Sequence, residues 1–363
     1  MYIKKIELKD FRNYPSLSLE LDEHTNMIYG DNAQGKTNIL EAVYVGATTR
    51  SHRQSRDRDI IRFGAEESHI RIAAVKKGID YRIDMHLRKN RTKAIAINGV
   101  PIKRAAELLG ILNLVFFSPE DLSIIKSGPS ERRRFIDMEL CQIDGFYMNE
   151  LSEYNRTVNQ RNRLLREMRD ISDMDMMLDI YDEQLSIRGS NIIKRRISFI
   201  DELEKMIREI HLKISGQKEE CRVDYRPDVS PDGIMDELRR YRIRDKKQKT
   251  TTVGPHRDDI IIRINEKDVR KYGSQGQQRS AALSLKLSEI ELIRRAVKDE
   301  PILLLDDVLS ELDSKRQAFL LENIENIQTL ITCTGLDDLV NSRLDINRTY
   351  RVVNGAIEDA EQL

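Results

Sequence analysis

The run Gly30-Asp31-Asn32-Ala33-Gln34-Gly35-Lys36-Thr37 constrains the fold of this 363-residue chain more than any other segment. It fits the spacing G-x-x-x-x-G-K-[ST], in which glycines let backbone N–H groups converge on an anion and a helix N-terminus adds partial positive charge. That chemistry needs a buried strand before the loop and a helix after it. Met27-Ile28-Tyr29 supplies the short apolar strand, and Asn38-Ile39-Leu40-Glu41-Ala42-Val43 opens the helix. In this geometry Lys36 reaches the β- and γ-phosphates of a nucleotide, and the Thr37 hydroxyl ligates Mg²⁺. An ordinary glycine-containing turn is the competing reading, and it leaves the strand–loop–helix order unexplained.

A phosphate loop predicts an acidic metal partner at the end of a buried strand. Ile302-Leu303-Leu304-Leu305 delivers Asp306 to the C-terminal edge of a sheet, where it holds Mg²⁺ through water beside Thr37. Asp307 follows at once. Adjacent carboxylates on an apolar strand repel each other and lose solvation, a cost that a cation offsets. Asp307 is placed to orient or deprotonate an attacking water, with Lys36 as its catalytic companion. It is one methylene shorter than Glu, so slow hydrolysis is expected. A solvated turn acid followed by a cap is the structural alternative.

Between these motifs the hydrophobic period changes twice. Residues 1–125 alternate as strands do: Ile3, Ile6 and Leu8; Leu17, Leu19 and Leu21; Ile79, Tyr81, Ile83, Met85 and Leu87. Asn98-Gly99 marks a tight turn, and Asn113 to Phe117 reads as a buried strand. From about Ser130 the spacing becomes helical. Leu151, Tyr154, Val158, Leu165 and Met168 form one stripe, interrupted by Arg161. Ile193, Ile197, Ile200, Leu203, Ile207, Ile210 and Ile214 form a second, with Gly216 as its stop. Two such helices pack most simply on each other as an antiparallel hairpin. Strands return at Asp259 to Ile264, Pro301 to Leu305, Thr329 to Thr332 and Tyr350 to Val353, around a helix from Gln278 to Ala296. The expected organisation is one α/β head with a mixed sheet and a β-rich N-terminal part, residues 1–125 plus 250–363. An all-helical, coiled-coil-like arm, residues 126–249, divides it.

Composition removes several classes. The 61 basic and 61 acidic residues cancel, so contact with nucleic acid has to come from local patches. No stretch approaches the ~18 apolar residues of a membrane span, and MYIKKIELKDF is no signal peptide. A cytoplasmic protein with no membrane partner is expected. Cys141, Cys221 and Cys333 lie too far apart for a disulfide framework or C-x-x-C metal spacing, and no H-E-x-x-H pair occurs.

Further motifs carry a resemblance. Tyr272-Gly273-Ser274-Gln275-Gly276-Gln277-Gln278-Arg279-Ser280 leads into a helix ahead of the acidic strand, and Ser310-Glu311-Leu312-Asp313 follows that strand. The pattern is similar to the P-loop heads of ABC/SMC ATPases. More closely, Phe11-Arg12-Asn13-Tyr14, GDNAQGKTN, SPEDL at 118–122, SERRRFID at 130–137, GPHRDD at 254–259, YGSQGQQRS and LLLDDVLSELD together resemble the RecF family of bacterial recombination mediators across essentially the whole chain. The resemblance implies a weak, Mg²⁺-dependent ATPase that dimerises on ATP. It implies binding of single- and double-stranded DNA at gaps without sequence preference. It also implies action in recombinational repair, replication restart and the SOS response, with RecR and RecO as partners.

The same resemblance assigns ATP contacts to Gly30 through Asn38 and to Arg12 and Asn13 on the base and ribose side. Arg12 and Asn13 also fit a plain strand-end turn. Ser274, Gln275, Gly276 and Gln277 would cap the nucleotide of the other subunit as the signature loop, with Asp313 reaching across the same interface. A Gln-rich surface turn is the alternative for that loop. The pattern departs from the wider ABC set: no Gly-Gly pair in the signature, no His in Ile331-Thr332-Cys333-Thr334-Gly335, and Glu120 as the nearest polar group for a Q-loop. These departures weigh against a transporter subunit, while an ATP-binding clamp that barely hydrolyses stays open. His256-Arg257-Asp258 fits a site and a hydrogen-bonded turn equally well.

Basic residues cluster locally. Arg239, Arg240, Arg242, Arg244, Lys246, Lys247 and Lys249 against Asp245 give a local +6. Arg156, Arg161, Arg163, Arg166 and Arg169 form a second cluster, and Arg50, Arg53, Arg56, Arg58 and Arg62 a third. Such groups neutralise phosphates without reading bases. A solvated charged face is the competing description of each, and Arg50 or Arg53 also suit the nucleotide phosphates.

Overall fold

The computed structural model describes residues 1–53, 55–167, 171–335 and 345–358, so Met168 and Arg169 of the sequence stripes lie outside the described residues. Strands β1 (Tyr2–Phe11), β2 (Tyr14–Glu20) and β3 (Thr25–Tyr29) precede helix α1 (Lys36–Thr48). Strands β4 (Glu67–Lys76), β5 (Ile79–Arg88), β6 (Arg91–Ile97), β7 (Val100–Pro101) and β8 (Leu114–Phe117) follow. Helices α2 (Pro129–Ile143), α3 (Gly145–Glu167) and α4 (Ile171–Ile214) come next. Then come β9 (Cys221–Arg226), β10 (Asp259–Ile264), β11 (Lys267–Asp268) and helix α5 (Gln275–Val297). The chain ends on β12 (Ile302–Asp306), helix α6 (Ser314–Asn323), β13 (Thr329–Cys333), β14 (Arg348–Val353) and β15 (Ala356–Glu358). It divides into two compact units, residues 1–121 with 286–363 and residues 122–285.

The first unit holds two six-stranded sheets. One is antiparallel, in the order β2-β1-β4-β5-β6-β7. Period-2 alternation sets its faces: Ile3, Ile6, Leu8, Leu17, Leu19, Ile70, Ile72, Ile83, Met85 and Leu87 are buried, and the intervening residues face solvent. Ile79 departs from the expected stripe and is exposed at the strand start. Asn98 and Gly99 both take positive φ, 51° and 83°, as a two-residue hairpin requires. The second sheet, in the order β15-β14-β3-β13-β12-β8, is parallel except for its β15 edge. Every residue of β8, β12 and β13 is buried, which explains the apolar run of β8 and the four aliphatics of β12. Gln328 ties the sheets together. Its amide accepts from Ile3 N at 2.7 Å and donates to Ile3 O at 2.8 Å and Asp22 O at 2.7 Å.

In the second unit α3 and α4 form the expected antiparallel hairpin. Arg196 Nε donates to Tyr147 Oη at 2.9 Å, Arg188 meets Glu150 at 2.9 Å, and Arg161 meets Asp182 at 2.7 Å. One index rises as the other falls. Arg161, which interrupts the apolar stripe, is fully buried and also bonds Asp245 at 2.7 Å and Thr251 Oγ1 at 3.0 Å. Its fork joins both long helices to the short helix Arg242–Gln248.

Two features of the second unit differ from the sequence expectation. The insertion is not purely helical: β9, β10 and β11 form a three-stranded antiparallel sheet. Contacts also divide the chain at 285/286, whereas 249/250 was the expected end of the arm. Both differences have one cause. Strand β10 pairs along its whole length with β9, from Asp259↔Arg226 to Ile264↔Cys221. Alternation in Cys221–Arg226 is only two apolar positions long, too weak to stand out between two helical stretches. GPHRDD is the junction of this unit. Arg132 forks onto Asp259 at 2.7 and 2.9 Å, and Arg196 bonds Pro255 O and Asp258 at 2.7 Å. His256 lies between Tyr154 Oη at 2.8 Å and Thr251 O at 3.1 Å, and burial pushes its pKa down to about 4. The hydrogen-bonded-turn reading describes these contacts.

Removing one member of a buried ion network leaves the others charged and unpaired, at a cost of about 3–5 kcal/mol. Arg161→Ala is therefore expected to lower unfolding stability by about that amount in urea titrations followed by circular dichroism. Arg161→Lys should recover only part, because an ammonium lacks the fork that serves two carboxylates. An unchanged midpoint in Arg161→Ala would contradict the role given to this residue.

Candidate functional site

Parallel pairing puts the C-terminal ends of β3, β13 and β12 side by side, and the phosphate loop leaves the sheet from the first of these. Gly30 at φ 149° and Gly35 at φ 113° shape the loop. A Cβ at Gly30 would sit 2.4 Å from Val352 O, and one at Gly35 2.4 Å from Asn13 Nδ2, so neither position admits a side chain. Lys36 Nζ spans the loop, donating to Gly30 O at 2.7 Å and Asp31 O at 3.0 Å. Asp31, Asn32 and Ala33 face solvent. Gln34 O accepts from Asn13 Nδ2 at 2.8 Å, Gly35 O from Tyr14 Oη at 3.1 Å, and Gln34 Oε1 from Asn354 N at 2.6 Å. Asn38 Nδ2 donates to Asn13 Oδ1 at 2.8 Å. These contacts brace the cradle.

Asp306, at the end of β12, lies beside the loop. Its Oδ1 accepts from Thr37 Oγ1 and from Thr332 Oγ1, each at 2.8 Å, and the residue is 8% exposed. Burial raises its pKa, with the Asp307 charge adding to the effect. The two hydroxyls and Arg53 only partly offset this. A buried carboxylate beside a threonine hydroxyl at a phosphate loop is a donor set that suits a hard divalent cation. Asp307 takes a left-handed backbone, φ 52°, and its N–H bonds Thr332 Oγ1 at 3.0 Å.

Arg12 is tied into a polar network beside α1. Its fork holds Glu41 at 2.8 and 2.7 Å, and it donates further to Asp59 O at 2.8 Å and Ser55 Oγ at 2.7 Å. Burial opposes the Glu41 charge, yet Arg12, Ser51 and Arg53 together hold its carboxyl below the usual range. Arg53 reaches Asn38 Oδ1 at 3.2 Å. Thr332 and Glu41 were missed by sequence reasoning. The available signal was a polar residue inside a buried strand and an acid inside a buried helix, neither of which a motif records.

The second unit carries Ser274, Gln275, Gly276 and Gln277 at the start of α5. Ser274 and Gln277 close a reciprocal cap: Gln277 N to Ser274 Oγ at 3.2 Å, Ser274 N to Gln277 Oε1 at 3.0 Å. Gln277 Nε2 also holds Glu219 at 2.8 Å, while Ser274 and Gln275 are exposed. In the first unit Asp313 caps α6 through Arg316 N at 3.0 Å and also pairs with the Arg316 guanidinium. Of the basic cluster, Arg242 meets Asp179 and Asp182 at 2.6 Å, Lys246 meets Asp175 at 2.6 Å, and Arg240 meets Glu237 at 3.1 Å. Arg239, Arg244 and Lys247 are exposed. Acids of α4 thus neutralise part of the charge that the sequence run displays. No helix among the described residues is long and apolar enough to cross a membrane.

A family model described as the RecF/RecN/SMC N terminal domain matches residues 2–356. A DNA replication and repair protein RecF of Lachnospira eligens is 56% identical over 98% of this chain and 99% of its own length. A solved structure of the recombination mediator protein RecF-ATPrS in the RecFOR pathway superposes at a TM-score of 0.90, with 36% identity, over 98% of this chain and 97% of that one. The Smc head domain of Pyrococcus furiosus, bound to the C-terminal domain of ScpA, shares the fold at 18% identity and a TM-score of 0.57, covering 99% of this chain and 96% of that one.

Burial makes the Asp306 charge unfavourable. The native state binds its proton more tightly than the unfolded chain, so this group's contribution falls as pH rises from the ordinary carboxylate range through the raised value. Asp306→Asn keeps the acceptor for both threonines. It is expected to raise the melting temperature at pH 8, with the gain shrinking toward pH 4 in scanning calorimetry; a lower melting temperature at pH 8 would reverse the assignment.

Proposed function

The chain belongs to the RecF branch of the RecF/RecN/SMC N terminal domain family, and from that premise we propose that it is an ATP-dependent DNA-binding protein of recombinational repair. The carrying observation is the Thr37–Asp306–Thr332 junction beneath a pre-shaped phosphate cradle. ATP binds with its phosphates over Gly30 to Asn38. Lys36 exchanges its two carbonyl partners for phosphate oxygens, a swap that a cation held by neutral acceptors favours. Thr37 and Asp306 would hold Mg²⁺, which would supply charge neutralisation at the phosphates. Asp307, fixed by Thr332 at its backbone, orients the attacking water, and its short side chain limits turnover.

Arg12 acts through Glu41 as a positioning residue for the α1 side of the cradle, while Asn13 braces Gln34. Two copies then close on two nucleotides, each presenting Ser274 to Gln277 and Asp313 to the site of the other. Exposure of Ser274 and Gln275 supports that reading. DNA, single-stranded or linear duplex and at gap junctions, is held through its backbone. Arg239, Arg240, Arg244 and Lys247 are the solvent-facing members of the candidate patch, with Arg242 and Lys246 beside them. RecR and RecO are the partner proteins, and replication restart and SOS induction the cytoplasmic setting.

Lys36→Ala is expected to abolish ATP-dependent dimerisation in sedimentation velocity. Asp307→Asn should retain the dimer and slow single-turnover hydrolysis by about 100-fold or more, the usual weight of a general base. Dimerisation by Lys36→Ala at wild-type ATP concentrations would defeat the reading. Undiminished hydrolysis by Asp307→Asn would remove Asp307 from it.

A further inference from the structure

The solvent face of the antiparallel sheet carries a cluster that no sequence spacing announces. Glu67 and His69 lie two residues apart on β4 and so share a face, and His69 is paired directly with His86 on β5. The two imidazoles stack at 4.0 Å between centroids with 20° between planes. Glu67 Oε2 lies 2.8 Å from His86 Nε2, and Glu67 Oε1 lies 3.7 Å from His69 Nε2. Three ligand atoms, one from each residue, fall within 4.8 Å of one another.

We propose that Glu67, His69 and His86 form a binding site for a zinc-class divalent cation, clamped across the β4–β5 hairpin. Zinc bonds to nitrogen and carboxylate oxygen of about 2.0–2.2 Å in tetrahedral array put neighbouring ligands about 3.3–3.5 Å apart. The two separations run to different oxygens of Glu67, 2.8 Å to Oε2 and 3.7 Å to Oε1, and the imidazole planes are nearly parallel, so binding turns one ring about χ2 until both nitrogens and one carboxylate oxygen face the ion. Two imidazoles with one carboxylate select a borderline cation over Mg²⁺ or Ca²⁺, and solvent completes the coordination. On binding, the His86 proton that faces Glu67 moves to Nδ1, and the carboxylate exchanges a hydrogen bond for a metal bond. His86 is flanked on β6 by Ala94, which leaves that side open to water. Lys9, opposite His69 on β1, is the nearby opposing cation; it is exposed and long enough to turn away.

The full chain, stripped with a chelator and kept in excess Mg²⁺, is titrated with ZnCl₂ by calorimetry. One ion per chain is expected, with affinity reduced at least about tenfold in both His69→Ala and His86→Ala. Lys36→Ala, at the phosphate loop, should bind zinc as wild type does. Zinc should also shield His69 and His86 together from diethyl pyrocarbonate in the wild-type protein, a readout that needs no variant. Absence of saturable binding, full-affinity binding by either histidine variant, or loss of binding in Lys36→Ala would overturn the proposal, as would modification of both histidines at unchanged rate.

Discussion

A single largely buried carboxylate joins the parts of the first unit that matter most. Asp306 sits at the end of β12 and is held by two hydroxyls, one opening α1 and the other near the end of β13. Each hydrogen bond to an ionised acceptor contributes more than a neutral one, and together they fix loop, strand and neighbouring strand in one register. The same burial that makes the charge costly in isolation prepares it for a cation. Stability and readiness therefore oppose each other at this position, as is common where binding groups are preorganised.

The cradle itself was legible because its requirements are local. Gly30 and Gly35 are spaced for positive φ, Lys36 and Thr37 follow, and an apolar strand precedes. Asp306 was legible for the same reason, since four aliphatics leading to an acid describe the end of a buried parallel strand. What escaped was nonlocal. Thr332 reads as an ordinary strand residue until β13 is placed beside β12. Strand β9 lies between helical stretches and declares itself only through its partner β10. The charge run at 239–249 reads as a basic patch, yet Asp175, Asp179 and Asp182, some sixty residues earlier, meet Arg242 and Lys246. Composition counts charges but not their partners.

The second unit achieves its definition with buried polar groups to an unusual degree. Arg161 and Arg196 are among its largest fully buried side chains, and each bonds two carboxylates. An apolar stripe alone would let α3 and α4 slide by a turn, about 5.4 Å, at modest cost. A guanidinium held by fixed acids forbids that shift, so the hairpin keeps one register. GPHRDD belongs to this framework, which accounts for its dense polar composition.

Strand β3 has one further consequence, which concerns how the polypeptide is made. Its sheet neighbours are β13 and β14, and 300 positions separate Tyr29 from Thr329. A ribosome adding about 5–20 residues per second leaves that strand without partners for tens of seconds. The nascent chain must shelter an apolar edge through most of its synthesis, so assembly waits on the last-made segments and truncated products are natural clients for chaperones.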